Sequence, residues 1–446
     1  MQPSGVIVIG GGAAGLMAAY TLSKAGIPVT LLEARDRLGG RIHTIQGSGF
    51  AQPVEAGAEF VHGHLPLTLQ LLKEAGTGRE ETGGGIWRAQ DGRLTREDDF
   101  IEQSGLLTKH LDELREDITI ADFLDRFFSA PQHEKLRNSI RGFAEGYDAA
   151  DIHRASAFAL REEWAGEDDQ YRPAGGYGSM IGFLEKCCRR QGCTIALSSV
   201  VEKVAWQPGQ VRVCTNDGQL YTAARLLATL PLSLLQLAPP APGAVRFSPE
   251  LPEKRAAARR MGMGHVIKIL LEFKEAFWKE TVKRSTGADL SKAAWIFSSE
   301  QVPTWWTQYP HSSNLLTGWL AGPNAAARAG MKDQAILQLA TGSLANIFSL
   351  PVAAVQSALV HAEVFNWSAD LFSQGAYAYN TVETLEARKT ILQPEADTLY
   401  FAGEALYEGP EMGTVEGALS SGKKVAERLL AGNENKKAAG NPAASV

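Results

Sequence analysis

Val6-Ile7-Val8-Ile9-Gly10-Gly11-Gly12-Ala13-Ala14-Gly15 is the stretch whose reading decides the fold. Its first four residues are apolar and β-branched, the composition of a buried parallel strand, and they run straight into a glycine-rich turn. Ala18, Ala19, Leu22 and Ala25 then recur at helical spacing, with Gly26 as a stop. Val29, Leu31 and Leu32 form a second strand that ends in an acid, Glu33. A glycine triplet alone would be no more than a flexible turn, but strand, turn, helix, strand and acid in this order make a dinucleotide fingerprint. Gly10 allows the tight turn, Gly12 admits backbone close to a pyrophosphate, and Gly15 lets helix and strand close together. The helix beginning around Ala14 offers free N–H groups to phosphate, and Glu33 is placed to accept hydrogen bonds from ribose hydroxyls.

The residues just past the acid separate two dinucleotides. Glu33-Ala34-Arg35-Asp36-Arg37-Leu38-Gly39-Gly40-Arg41 sets three arginines and a diglycine where they could reach further phosphate and the flavin side of FAD, which NAD does not require. With these residues the sequence resembles the flavin amine oxidase family, which includes monoamine and polyamine oxidases. The resemblance continues in separated blocks along nearly the whole chain. Glu55-Ala56-Gly57-Ala58-Glu59-Phe60-Val61-His62-Gly63 is similar to the family segment beneath the flavin ring, and Ser199-Val200-Val201 begins a strand similar to the one whose backbone meets the adenine. His265-Val266-Ile267-Lys268 is a further block. Leu399-Tyr400-Phe401-Ala402-Gly403-Glu404, then Gly413-Thr414-Val415-Glu416, resembles the closing flavin motif, in which a new helix starts over the ring. The apolar spacing of Val415, Ala418, Leu419, Val425, Ala426 and Leu429 supports that helix independently, and its N-terminus would favour an anionic reduced ring.

The implied fold class is α/β: a discontinuous Rossmann-like FAD-binding domain with an inserted α+β substrate domain of mixed sheet and helices. We place the FAD-binding pieces at residues 1–75, 176–245 and 375–432, the substrate-binding pieces at 76–175 and 246–374, and a disordered tail at 433–446. Segment 76–175 reads as polar and mostly helical, and the last helix as Thr414 to Leu430. The 446 residues leave ample chain for two domains. Hydrophobic residues at 44% and charged residues at 21% exclude wholesale disorder and a polytopic membrane protein. A formal charge of −6 gives no basic field for nucleic acid or anionic lipid, so neither is expected as a partner. Four cysteines, Cys187, Cys188, Cys193 and Cys214, form neither a disulfide framework nor a zinc pattern, and with no leader-like N-terminus the expected location is cytoplasmic.

The chemistry centres on a few residues. Lys268 lies inside an apolar strand, where it either points outward or must face a polar cavity or partner. The resemblance implies that it holds a water near flavin N5 and serves reoxidation by oxygen. Tyr377 takes the position of an aromatic-cage tyrosine, with Trp367 upstream, and Ala376 takes the position of the cysteine that bonds flavin in monoamine oxidases; the FAD is therefore expected to be noncovalent. Thr414 replaces the second cage tyrosine, a departure toward the polyamine oxidases, as is Val61-His62-Gly63. By the same resemblance His62 lies at the substrate amine; His62 and His64 without a supporting cluster do not make a metal site. Phe60, Trp305 and Trp306 are candidates for pocket walls. The implied reaction moves a hydride from the carbon next to an amine nitrogen to FAD, gives an imine that hydrolyses, and passes electrons to oxygen as peroxide. The alternatives are a desaturase or amino acid oxidase of the same superfamily, or a flavin-binding interaction protein without catalysis; the class of amine and a homodimer are left open.

Overall fold

The computed structural model describes residues 4–90, 92–97, 104–164 and 170–439. Val6–Ile9 is the central strand of a five-stranded parallel sheet, ordered Thr194–Ala196, Val29–Leu32, Val6–Ile9, Arg225–Ala228, Leu399–Phe401. Both faces of the sheet are covered, which is why its strands are mostly apolar, with Thr30, Thr194 and Arg225 as the exceptions. On one face Leu16, Leu184 and Leu419 pack from helices Ala13–Lys24, Gly178–Arg190 and Val415–Ala439. On the other, Ile7, Ile9 and Leu226 meet Val204, Val211 and Val213 of a four-stranded sheet. Burial of each such aliphatic side chain stabilises by roughly 1.5–3 kcal/mol. Gly15 is where the first helix presses on its strand: a Cβ there would stand 1.9 Å from the Gly10 carbonyl oxygen.

A second, seven-stranded sheet runs Leu359–Asn366, Val266–Phe273, Leu315–Ala321, Thr304–Thr307, Ala293–Ser298, Gly85–Gln90, Arg93–Glu97. Its neighbours are antiparallel except Ala293–Ser298 beside Gly85–Gln90. Successive strand residues point to opposite faces. Ile267, Ile269 and Leu271 therefore enter the core beneath helices Phe277–Thr286 and Asp333–Phe348, while Lys268 faces the other way. That other face looks toward helices Ile120–Phe128, Glu134–Gly146 and Ala157–Trp164, which gather around Phe123, Phe128 and Ile140.

Segment 76–175 holds more strand than its polarity suggests. Gly85–Gln90 and Arg93–Glu97 form a hairpin at the edge of the large sheet, and Gln170–Pro173 joins Arg79–Glu81 to Val61–His62 in a small one. A solvated edge needs no apolar alternation, so arginines and glutamine fill it. The final helix spans Val415–Ala439, so the segment expected as a tail begins helical; residues 440–446 lie outside the described ones. No described single helix is long and apolar enough to cross a membrane.

Candidate active site

A cavity of about 1680 Å³ runs from the carboxyl ends of the parallel strands to the inner face of the seven-stranded sheet. It exceeds the few hundred cubic ångströms that one small ligand needs, leaving room for a dinucleotide and a substrate together. Among residues expected at the site, Gly10, Gly12, Ala14, Glu33, Ala34, Arg35, Gly40, Arg41, Gly57, Ala58, Glu59, His62 and Val201 line it. Lys268, Trp367, Tyr377, Gly403, Glu404, Gly413, Thr414 and Val415 line it as well. Gly15 stands behind the lining, in the contact between helix and strand.

At the nucleotide end, helix Ala13–Lys24 begins with no side-chain cap and no acid in its first turn, so nothing in the helix itself offsets the positive charge at its N-terminus. A Cβ built on Gly12 would meet only the Gly39 carbonyl oxygen, at 3.8 Å, so the space beside this turn is open cavity. Glycine here is explained by what must approach it, and a pyrophosphate satisfies both features. Glu33 is buried and held in place: it accepts from the Gly11 N–H at 2.6 Å and the Arg35 N–H at 2.8 Å. The three nearby arginines part ways. Arg35 pairs with Asp370 and Ser373; Arg37 turns into its own loop and donates to the carbonyls of Leu38, Gly40 and Ile42. Arg41 donates to Glu404 at 2.7 Å and to the Ala376 carbonyl at 2.6 Å, joining the early loop to the closing motif and to the backbone beside Tyr377.

Helix Val415–Ala439 points its N-terminus into the cavity. The Thr414 hydroxyl caps it by accepting from the Gly417 N–H at 3.1 Å. Glu416, the acid in its first turn, is turned away and accepts from Leu67, Thr68 and the Thr68 hydroxyl instead. The dipole thus remains available at the cavity. Trp367 donates from its indole to the Ala56 carbonyl at 2.9 Å, and among the described residues no cysteine lines the cavity. The glycine turn, the open helix end and the size of the cavity together fit FAD.

At the other end, Lys268 is 1% exposed, and its Nζ donates to Glu59 Oε2 at 2.7 Å and to the Gly57 carbonyl at 3.1 Å. Glu59 Oε1 accepts from Arg172 Nε at 2.9 Å, Trp306 Nε1 at 3.0 Å and Gln308 Nε2 at 3.3 Å. Burial pushes the Glu59 carboxyl up, but the charges of Lys268 and Arg172, with hydrogen bonds from Lys268 and Trp306, outweigh it and hold the group down at about 2. His62 Nδ1 lies 2.9 Å from the Tyr147 hydroxyl, and the Tyr377 hydroxyl donates to the Tyr147 carbonyl. Burial lowers His62 to about 4, so its ring is neutral at pH 7. Burial raises Tyr377 well above the usual phenol range, helped by Asp148, Tyr147 and Glu163.

Phe60 and Trp306 do line the cavity, and with Trp295 and Trp319 they form a continuous aromatic wall with ring centroids 5.4–5.7 Å apart. Trp305, one residue along the same strand, points the other way into the core of the seven-stranded sheet and donates to the Val302 carbonyl. Trp295, Trp319, Asp148 and Glu163 carry no signal in the sequence. Asp148 and Glu163 face the cavity as a hydrogen-bonded carboxyl pair. Glu163 is exposed and Asp148 half-buried where they line the cavity. Burial, then their mutual repulsion, raises Asp148 well above the normal range; burial raises Glu163 to about 7. Such a pair holds a proton between its members and carries part of one negative charge at neutral pH, rising toward one as pH increases through 7.

The model of the flavin-containing amine oxidoreductases matches residues 13–430. Polyamine oxidase 2 of Arabidopsis thaliana is 29% identical over 453 residues, covering 95% of this chain and 87% of the relative. Lysine-specific histone demethylase 2 of Homo sapiens is also 29% identical, over 96% of this chain but 53% of its own length. Among solved structures, putrescine oxidase bound to putrescine aligns with a TM-score of 0.77 at 19% identity, over 96% of this chain and 99% of that one. Cyclohexylamine oxidase from Brevibacterium oxydans IH-35A gives 0.77 at 19% identity, over 97% and 100%. With 418 of its residues inside the family match, the chain belongs to the flavin-containing amine oxidoreductases and is an FAD-dependent amine oxidase.

Proposed function

We propose that this enzyme oxidises a small amine that carries a second cationic centre, a diamine or polyamine, with oxygen as the final acceptor and peroxide as a product. FAD, when bound, takes up the hydride equivalent from the carbon next to the nitrogen. The observation that carries the proposal is the polarity of the cavity: aromatic at Trp306 with a neutral His62, and anionic at Asp148 and Glu163.

The reacting nitrogen must be unprotonated, because only its lone pair can assist loss of hydride from the neighbouring carbon. An aromatic wall disfavours the ammonium form there by desolvation. His62 adds no competing positive charge, and together with the Tyr147 hydroxyl it offers hydrogen-bonding groups that can orient an amine N–H. Tyr377, tied to the Tyr147 backbone, fixes the ring that closes this end. The distal nitrogen keeps its charge, which the Asp148–Glu163 pair accepts. The names of the polyamine and putrescine oxidases similar in sequence and fold agree with such a substrate.

The test is anaerobic bleaching of the bound flavin by putrescine and by n-butylamine, which differ by one amino group, followed by readmission of air. Putrescine is expected to have the higher kcat/KM, with peroxide released. In the Asp148→Asn, Glu163→Gln double variant, losing a charge-assisted contact of about 1.5–3 kcal/mol lowers the putrescine value about 10- to 100-fold and leaves butylamine nearly unchanged. Equal losses for both amines would remove the carboxyl pair from substrate recognition, and bleaching by neither would overturn the proposal.

A further inference from the structure

We propose that Glu59 is a positioning residue for Lys268, and that Arg172 supplies the second cation that keeps Glu59 ionised for that task. The proposal rests on the reading of Lys268 as the residue that serves flavin reoxidation. The sequence motif places Glu59 among residues that contact the cofactor, but neither of its oxygens lacks a protein partner. One is held by Lys268, the other by Arg172, Trp306 and Gln308. Its carboxylate therefore acts on its protein neighbours.

The geometry makes the consequence specific. A lysine ammonium has three donors. Glu59 takes one and the Gly57 carbonyl a second, so one N–H remains for whatever occupies the cavity beside it. Four rotatable bonds would otherwise let the ammonium wander; two fixed donors set the direction of the third. The Trp306 ring lies 5.4 Å from the same Nζ while its N–H donates to Glu59, so the aromatic wall and the ammonium share this carboxylate as their support.

Charge counting explains the need for Arg172. It lies on Gln170–Pro173, stacks over Phe60 at 4.6 Å, and is fixed by the carbonyls of Thr307 and Tyr309. Two cations and one carboxylate leave the buried cluster with one net positive charge. Glu55, which also acts on Lys268, is pushed up to about 7 chiefly by burial, so it supplies only part of a second negative charge at neutral pH. Removing Glu59 leaves Lys268 and Arg172 facing each other, and since a guanidinium keeps its proton, Lys268 is the group that loses one.

The experiment compares E59Q, K268M and E59Q/K268M, each reconstituted with FAD. Readouts are the FAD dissociation constant, the melting temperature of the apoprotein, and the oxygen-dependent reoxidation rate of the photoreduced enzyme from pH 6 to 9. E59Q and K268M are each expected to slow reoxidation by about 10-fold or more, with the double variant no slower than K268M, because the effect of Glu59 runs through Lys268. E59Q is also expected to gain a pH step that the double variant lacks, and to keep an FAD dissociation constant within about 3-fold of the starting enzyme. An equal further slowing by E59Q in the K268M background would show a general structural role and overturn the proposal. So would a large rise in the FAD dissociation constant with reoxidation unchanged. K268M with unchanged reoxidation would instead defeat the reading of Lys268 itself, and the proposal with it. Should E59Q fail to fold, E59Q/R172M keeps the net buried charge at one and is compared with R172M in the same way.

Discussion

Alanine at Gly15 and alanine at Gly12, one turn of helix apart, have opposite expected signatures. In Gly15→Ala the new Cβ would lie 1.9 Å from the Gly10 carbonyl oxygen and 2.8 Å from the Thr229 hydroxyl, far inside contact distance. Helix Ala13–Lys24 must lift from strand Val6–Ile9 by about 1 Å, an overpacking cost of about 3 kcal/mol. With an unfolding entropy near 0.9 kcal/mol per kelvin for a chain of this length, the apoprotein should melt about 3 °C lower. FAD affinity should fall as well, because the displaced helix carries the phosphate-facing amides. In Gly12→Ala the Cβ meets nothing nearer than 3.8 Å and φ is −76°, comfortable for alanine. Its apoprotein should lose no more than about 1 kcal/mol, an N-cap preference, and melt within about 1 °C of the starting protein. Its FAD affinity should nevertheless drop about 10-fold or more, because the methyl group occupies the approach to the pyrophosphate. Differential scanning fluorimetry of the apoproteins and FAD titration by flavin fluorescence separate the two effects. A Gly15→Ala apoprotein that melts normally, or a Gly12→Ala protein that binds FAD normally, would refute this account of the fingerprint.

The charges around the cavity lead to other outcomes. Glu163, raised to about 7, gains negative charge as pH rises through that value, so KM for putrescine should fall between pH 6 and 8 by a step that KM for butylamine lacks; parallel profiles would count against the carboxyl pair. With no cysteine among the described cavity residues to form a thioether, acid precipitation should leave the yellow flavin in the supernatant, and colour retained in the pellet would contradict noncovalent binding. Lys268→Met should keep its FAD through the glycine turn and both helix ends while reoxidising slowly, as measured by stopped-flow mixing with oxygen.

How much of the fold and the site is legible in the sequence depends on the range of the interactions. The fingerprint is legible because strand Val6–Ile9, its turn and its helix are contiguous, and Gly12 and Gly15 each answer a local steric demand. Lys268 is legible as an anomaly, a charge within an apolar strand, but its partner Glu59 lies 209 residues away and no local pattern joins them. The contact of Tyr147 with His62 spans 85 residues and hangs on the end of a helix whose polar sequence gives no hint of a cavity. Trp305 and Trp306 are alike in composition, and only the register of their strand decides that one enters the core and the other the cavity. The three arginines after Glu33 are equally alike, yet local loop geometry sends Arg35 to Asp370, Arg37 to backbone carbonyls and Arg41 to Glu404. The hairpin Gly85–Gln90 and Arg93–Glu97 escapes a reading by pattern because its outer position frees it from apolar alternation.

The ionisable groups at the reacting end also bear on stability, in opposite directions. Glu59, held near 2 against an ordinary 4.5, contributes stability that is present above about pH 4.5 and is lost as pH falls through 2, on the order of 3 kcal/mol when complete. Glu55, raised to about 7, does the reverse: its contribution is present below about pH 4.5 and is lost as pH rises through 7, by a similar amount. At neutral pH the fold therefore keeps most of the first and has surrendered much of the second. A protein selected for stability alone would have little reason to bury Glu55 beside this cluster, with one oxygen lacking any hydrogen-bond partner. Both carboxyls flank the segment Ala56-Gly57-Ala58, whose Gly57 and Ala58 line the cavity, one carboxyl fully charged and one near its midpoint. The cost is borne by two well-packed sheets whose cores lie elsewhere, so the charges can be arranged for the reaction and need not stabilise the fold.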